Sequence, residues 1–135
     1  MEKVSQSILE KLPFILQENA KDIEAAKQSN MKESFIDRLL LTEDRIQGMI
    51  EGIRTIIDLK DPIWQSNRVW TIENDLTISK MTIPLGVIGI IYESRPNVTV
   101  DAFALALKSG NGVLLRGSST AIHSNRALVA AIKQG

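Results

Sequence analysis

The side chains best suited to chemistry follow a short apolar run in the last third of the chain. Val113-Leu114-Leu115 is typical of a buried strand, and Arg116 and then Gly117-Ser118-Ser119-Thr120 come directly after it. Open α/β sheets bind ligands beyond the carboxyl ends of their strands, where the next helix offers unpaired N–H groups to an anion. The pattern predicts an anion-binding site, although an arginine paired with a surface carboxylate and hydroxyls that only cap the helix would look the same.

A second polar turn lies nearby in the sequence. Tyr92-Glu93-Ser94-Arg95-Pro96-Asn97 follows the strand Val87–Ile91, which is apolar on both faces, as expected of a parallel strand covered by helices. A helix is predicted from about Val98 to Ser109, and Gly110 suits the left-handed conformation that ends helices. The stretch from Pro84 to Asn125 is therefore interpreted as one strand–helix–strand–helix unit with polar groups at its turns.

The first part of the chain is predicted to be helical. Apolar residues with helical spacing precede and follow Pro13, which should kink the helix or end one helix and start another. Asn19 is a candidate cap for a further helix over Ala20–Gln28. Thr42 opens a clear amphipathic helix, which Asp61-Pro62 closes.

The pattern changes between Arg68 and Ile83, where alternating residues flank the polar turn Glu73-Asn74-Asp75 and predict a β-hairpin. We therefore divide the chain into a helical segment (1–65), a hairpin (66–83) and the start of an α/β domain (84–135). The predicted fold class is α/β.

Composition excludes several classes of protein. The chain has 135 residues, 44% of them hydrophobic and 24% charged, which is typical of a globular protein. Its 16 basic and 16 acidic residues cancel, so charge gives no reason to expect nucleic acid or a membrane surface as a partner. With no cysteine, one histidine and no metal-binding motif, we expect no metal site. A cytoplasmic location is the default expectation.

Long stretches of the sequence resemble one enzyme family. They are IYESRPNVTVDAFALALKSGNGVLLRG, ENAKDIEAA and DRLLLTEDRIQGM, and they resemble the γ-glutamyl phosphate reductases (glutamate-5-semialdehyde dehydrogenases) of the aldehyde dehydrogenase superfamily. The resemblance implies an aldehyde dehydrogenase-like fold with the first β-α-β-α unit of its cofactor domain. It also implies NADPH-dependent reduction of L-glutamyl 5-phosphate to L-glutamate 5-semialdehyde in proline biosynthesis, through a thioester on a cysteine.

The chain lacks the cysteine that this chemistry requires. In the resembling family the nucleophile lies downstream of the part represented here, so we expect this chain to be an N-terminal portion that is inactive alone. The alternative is a non-catalytic binding or assembly module that keeps the fold without the reaction.

The resemblance assigns cofactor roles to the residues after the second strand. Aldehyde dehydrogenases usually present a lysine there toward the adenine ribose, and the arginine at position 116 favours NADP(H), whose 2′-phosphate it could grip. Gly117, Ser118 and Ser119 are the other candidate cofactor-binding residues.

The resemblance also assigns roles to the turn at 92–97. Aldehyde dehydrogenases carry an asparagine there whose amide helps to form the oxyanion hole, and Asn97 is the candidate, unless it is only the N-cap of the next helix. Arg95 and Ser94 are candidates for binding the substrate's phosphate or α-carboxylate. The alternative for Arg95 is a salt bridge with Glu93.

Partners follow from the resemblance as well. The hairpin corresponds to a region through which aldehyde dehydrogenases associate, so a homo-oligomer is expected, and association with glutamate 5-kinase is a further expectation. The alternative is a local surface hairpin.

His123 has no acid–base partners near it in the sequence and is interpreted as a solvated or capping histidine.

Overall fold

The computed structural model describes the whole chain, Met1–Gly135. Its strands are β1 (Ser66–Thr71), β2 (Thr77–Met81), β3 (Val87–Ile91) and β4 (Gly112–Arg116). Its α-helices are α1 (Glu2–Glu10), α2 (Leu12–Gln28), α3 (Glu33–Leu39), α4 (Glu43–Asp58), α5 (Asn97–Lys108) and α6 (Ile122–Gln134), and a 3₁₀ turn, Ser119–Ala121, precedes α6.

Local sequence signals set several of these boundaries. Pro13 lies in the first turn of α2, two residues after the break at Lys11, so the prediction that it separates two helices is confirmed. Thr42 caps α4 as predicted, because its Oγ1 accepts a hydrogen bond from the Arg45 backbone N–H at 3.1 Å. Helix α3 was not predicted, since it has only seven residues and no extended apolar stripe.

The four strands form two separate pairs. β1 and β2 make the predicted antiparallel hairpin, with Asp75 of the turn at φ +63°. β3 and β4 are parallel, with Val87 opposite Gly112 and Ile91 opposite Arg116. The polar turn after β3 and the polar loop after β4 therefore leave the sheet at the same edge.

Helix α5 makes the crossover between β3 and β4, and Gly110 ends it at φ +67°, as predicted. The expectation that helices cover both faces of the parallel strands is wrong for this chain. Residues alternate between half-buried and exposed along both strands, and Val87, Ile91 and Leu114 are 70%, 86% and 68% exposed. The reason is that the helices pack on one face only, where Ile88, Ile90, Val113 and Leu115 point.

The main core lies between the helices rather than against the sheet. Helices α1, α2, α4, α5 and α6 contribute to one cluster of 13 buried apolar residues, among them Ile8, Ile15, Ile50, Val100 and Leu128. A smaller cluster joins Ala26, Leu39 and Ala121, and so packs α2 and α3 against the 3₁₀ turn. Burial of these aliphatic side chains is the main stabilising contribution to the fold.

Asn19 does not cap a helix, and that prediction is wrong. It lies inside α2 and is 2% exposed, because its side chain makes tertiary hydrogen bonds instead. Its Nδ2 donates to the Leu39 carbonyl and to Ser124 Oγ, both at 2.9 Å, and its Oδ1 accepts from Leu41 N–H at 2.8 Å. One amide therefore ties α2 to the α3–α4 connection and to α6.

We predict that Asn19→Ala lowers the free energy of unfolding by about 2–3 kcal/mol, because it leaves buried polar partners without hydrogen bonds. Chemical denaturation monitored by circular dichroism would measure the change. Gln17→Ala is the control on the same helix, since Gln17 is exposed, and it should change stability by less than about 0.5 kcal/mol. Equal effects of the two substitutions would contradict the role given to Asn19.

Candidate functional site

An open cleft lies at the carboxyl edge of the parallel strands. It has a volume of about 800 Å³ and is bounded by β3, β4, the loop after β4 and one face of α6. Three cationic side chains line it, Arg116 from the end of β4 and Arg126 and Lys133 from α6. Apolar side chains complete the wall, namely Ile91, Leu115, Ile122 and Val129. A cleft with cations beside an apolar wall suits a ligand that is both anionic and aromatic.

The hydroxyl side chains of the loop after β4 are partly engaged with one another. Ser118 Oγ accepts from Thr120 N–H at 3.3 Å and caps the 3₁₀ turn, and it lies 2.8 Å from Thr120 Oγ1. Thr120 Oγ1 is also 2.5 Å from Ser94 Oγ in the turn after β3. Ser119 makes no side-chain hydrogen bond and is exposed. The structure thus brings Ser94, Ser118 and Thr120 together, although they come from two turns.

The sequence suggested that the start of α6 offers unpaired N–H groups to an anion. Two of these groups are already hydrogen-bonded within the protein. The N–H groups of His123 and Ser124 donate to the Asp22 carboxylate, at 3.2 and 2.8 Å. Ser124 Oγ donates to the same carboxylate at 2.6 Å. A buried carboxylate from α2 therefore takes the place of an external anion at this helix end. The N–H groups of His123 and Ser124 are therefore not available to an anion in the cleft.

Gly117 is required by a close approach of the loop to its neighbours. A Cβ at this position would lie 2.3 Å from Asn125 Nδ2 and 3.1 Å from the Tyr92 ring. Both neighbours are fixed, because Thr99 Oγ1 donates to Asn125 Oδ1 at 3.0 Å and lies 2.6 Å from the Tyr92 hydroxyl. Thr99 has one proton to donate, so Tyr92 is the donor to Thr99.

Asn97 is not the N-cap of α5, so that alternative is wrong. Pro96 occupies the N-cap position, and Asn97 is the first residue of the helix. Its side chain is exposed and makes one hydrogen bond, a long one of 3.5 Å from Nδ2 to Asp101 Oδ2. Capping therefore does not explain an asparagine here.

Arg95 does not form the salt bridge with Glu93 that was the alternative to substrate binding. The Arg95 backbone N–H donates to the Glu93 carbonyl at 2.8 Å, which shapes the turn, and the guanidinium has no carboxylate partner. Arg38 of α3 joins it beside a small cavity of about 220 Å³ that Ser94 and Ser118 also line. Arg38 was missed because nothing local in the sequence indicates that α3 reaches this turn.

A second polar cavity, of about 420 Å³, also adjoins this turn. Arg38, Arg95 and Asn97 line it, together with Asp37, Arg45 and Asp101. Burial raises the pKa of the Asp101 carboxyl above its ordinary value, and the hydrogen bond from Asn97 opposes that rise.

His123 lies away from these cavities. Its Nδ1 is 3.4 Å from Glu18 Oε2, and the pKa of Glu18 is lowered mainly by its hydrogen bond with Lys21 and also by His123. This surface pairing agrees with the non-catalytic interpretation.

The sequence analysis also missed Arg126 and Lys133 as residues of the cleft, although their seven-residue spacing places both on one face of α6.

The fold belongs to the mixed α/β class, with one parallel β-α-β-α unit on a helical layer. Solved structures of γ-glutamyl phosphate reductase share it. The enzyme from Thermotoga maritima superimposes with a TM-score of 0.93 at 48% identity, over 98% of this chain and 32% of that one. The enzyme from Saccharomyces cerevisiae gives 0.90 at 29% identity, over 96% and 33%.

Sequence relatives carry the same name. The chain is 69% identical over 135 residues to the γ-glutamyl phosphate reductase of Alkaliphilus metalliredigens, and 76% identical over 121 residues to that of Alkaliphilus oremlandii. It spans 33% and 29% of these proteins, about a third of their length. No family model matches the chain. The resemblance seen in the sequence is confirmed, and so is the fold class.

The structure contains no helix with the length and hydrophobicity that a membrane span requires.

We predict that Gly117→Ala destabilises the protein by about 1–3 kcal/mol, because the added methyl group must displace Asn125 or the loop. Denaturation curves would measure the loss. Gly48→Ala in α4 is the matched control, since a Cβ added there would have no packed neighbour within 4 Å. It should stabilise the helix by about 0.5–1 kcal/mol. A neutral Gly117→Ala would show that the loop has room that the structure does not indicate.

Proposed function

We propose that the chain provides part of an NADPH-dependent reductase that converts L-glutamyl 5-phosphate to L-glutamate 5-semialdehyde and phosphate. The observation that carries the proposal is the 69% identity, over every residue of the chain, to a protein named γ-glutamyl phosphate reductase. Conservation of the fold at a TM-score of 0.93 supports it.

The cleft beside β4 suits the adenosine half of NADP(H). Its apolar wall is appropriate for a base, and Arg116, Arg126 and Lys133 supply positive charge for phosphates. Arg116 lies at the end of β4, where its exposed guanidinium is free of any carboxylate within 4 Å. Because Asp22 occupies two N–H groups of α6, we assign the binding of the anionic groups mainly to these three cationic side chains. NADPH supplies the hydride when bound.

The turn after β3 is the proposed substrate side of the site. Ser94 and Arg95 would bind an anionic group of the substrate, and the Asn97 amide would donate to the developing oxyanion. The hydrogen bond between Ser94 and Thr120 fixes this turn against the loop after β4. The thioester nucleophile has to come from outside these 135 residues, since they include no cysteine.

The hairpin β1–β2 is proposed to serve subunit association. It projects with exposed apolar side chains, including Val69 at 61% and Leu76 at 55%. Exposed apolar groups of this kind mark interaction surfaces. With this assignment, residues 1–65 and 84–135 are the two parts of the cofactor domain, and the core formed jointly by α1, α2, α4, α5 and α6 supports that division.

A chimera tests the proposed activity. The chain would replace the matching third of the A. metalliredigens reductase. All 135 residues of the chain align with that enzyme. The chimera should oxidise L-glutamate 5-semialdehyde with NADP⁺ and phosphate, measured as NADPH formation at 340 nm. The 135-residue chain alone should show no turnover, because it has no thiol to carry the acyl group.

Two outcomes would contradict this proposal. A folded but inactive chimera would favour the alternative of a non-catalytic module. Turnover by the isolated chain would show that the reaction does not need the thiol chemistry assumed here.

We predict that Arg116→Ala in the chimera raises the Kd for NADPH by about 10- to 100-fold and leaves that for NADH nearly unchanged, because only NADPH carries the 2′-phosphate. Fluorescence titration of both cofactors would measure the ratio. Arg54→Ala, an exposed position on α4, is the control and should change neither constant. Equal weakening of both cofactors would place Arg116 away from the 2′-phosphate.

A further inference from the structure

The cavity of about 420 Å³ beside the turn after β3 contains charges of both signs that the protein itself does not neutralise. Arg45 is accounted for, because its guanidinium donates to Asp37 Oδ1 and to the Leu40 carbonyl, both at 2.8 Å. Arg38 and Arg95 are different. Neither guanidinium has a carboxylate within 4 Å, and the Arg38 guanidinium lies over the Phe35 ring, 5.4 Å from its centroid.

Asp101 supplies the opposite charge. It lies on α5 one turn beyond Asn97 and is half-buried, and its only hydrogen bond is the 3.5 Å contact with the Asn97 amide. No cation of the protein pairs with it. A half-buried carboxylate without a cation is unfavourable, and burial accordingly raises its pKa. A ligand cation would relieve this cost.

We propose that this cavity is a recognition site for an α-amino acid group, with Asp101 binding the α-ammonium and Arg38 and Arg95 binding the α-carboxylate. A zwitterion is complementary to a cavity that carries one unpaired carboxylate and two unpaired guanidiniums. A purely anionic ligand would leave Asp101 repelling it, and a cationic ligand would face both arginines. The site deepens the reductase function proposed above and rests on it, because it specifies how the amino acid end of the substrate is held.

The two arginines also border the smaller cavity that Ser94 and Ser118 line. The α-carboxylate would therefore be held at the boundary between the two cavities. Arg38 enters from α3, so this short helix becomes part of substrate recognition rather than a simple connector.

The test compares two aldehydes in the active chimera, L-glutamate 5-semialdehyde and its analogue 5-oxopentanoate, which lacks only the amino group. We expect Asp101→Asn to lower kcat/KM for the amino aldehyde by about 10- to 100-fold and to leave 5-oxopentanoate nearly unaffected. Arg38→Gln should raise KM for both aldehydes, because both carry the carboxylate. Glu51→Gln, an exposed position on α4, is the control and should change neither.

The outcomes separate this site from the function on which it rests. A folded but inactive parent chimera refutes the function and the site together. An active chimera in which Asp101→Asn reduces both aldehydes equally refutes the ammonium assignment alone, as expected of a residue that acts only on the fold.

A further measurement needs no substitution and covers the case in which Asp101→Asn does not fold. L-Glutamate should inhibit the unaltered chimera competitively and more strongly than glutarate, by about tenfold or more, because only L-glutamate carries the ammonium group. Equal inhibition by the two dicarboxylates would overturn the proposal.

Discussion

The arrangement of this chain depends on two buried polar side chains one turn apart on α2. Asp22 accepts three hydrogen bonds from the start of α6, and Asn19 bonds to Ser124 and to the backbone on either side of Leu40. A carboxylate buried without such partners would cost several kcal/mol, so α2 and α6 have little freedom to slide. The loop before α6 is fixed by this constraint, and with it one wall of the cleft.

The other wall is fixed by a second chain of hydrogen bonds. Tyr92 donates to Thr99, and Thr99 donates to Asn125, so the turn after β3 is joined to α5 and α6 beside Gly117. Because Ile91 pairs with Arg116 in the parallel register, the two polar turns emerge side by side. Arg116 at this edge lines the cleft, and Arg95 and Asn97 of the other turn line the cavity of about 420 Å³. The fold thus separates a cleft suited to a phosphorylated ligand from a cavity of mixed charge.

The sequence by itself determined those features that depend on neighbouring residues. Pro13, Thr42 and Gly110 mark helix boundaries through their own backbone and side-chain chemistry, and the alternation around Glu73-Asn74-Asp75 indicates a hairpin. The order of strands and helices from Pro84 onward follows from apolar runs of characteristic length. The motifs also sufficed for the resemblance to γ-glutamyl phosphate reductases, since extended matches in sequence imply a shared fold.

Tertiary structure alone decided which polar groups are already occupied and which are free. Asp22 lies 102 residues from Ser124 in the chain, so no local pattern could show that it fills the helix end expected to bind an anion. Arg38 reaches the turn after β3 only through the packing of α3, a helix too short to have a periodic signature. The alternative that Asn97 is only a cap rested on its residue type, which is typical of caps, yet the backbone places Pro96 at that position. Residue types specify what chemistry is available, and long-range contacts determine where it remains unused, because a hydrogen-bonding group satisfied by the protein no longer binds a ligand.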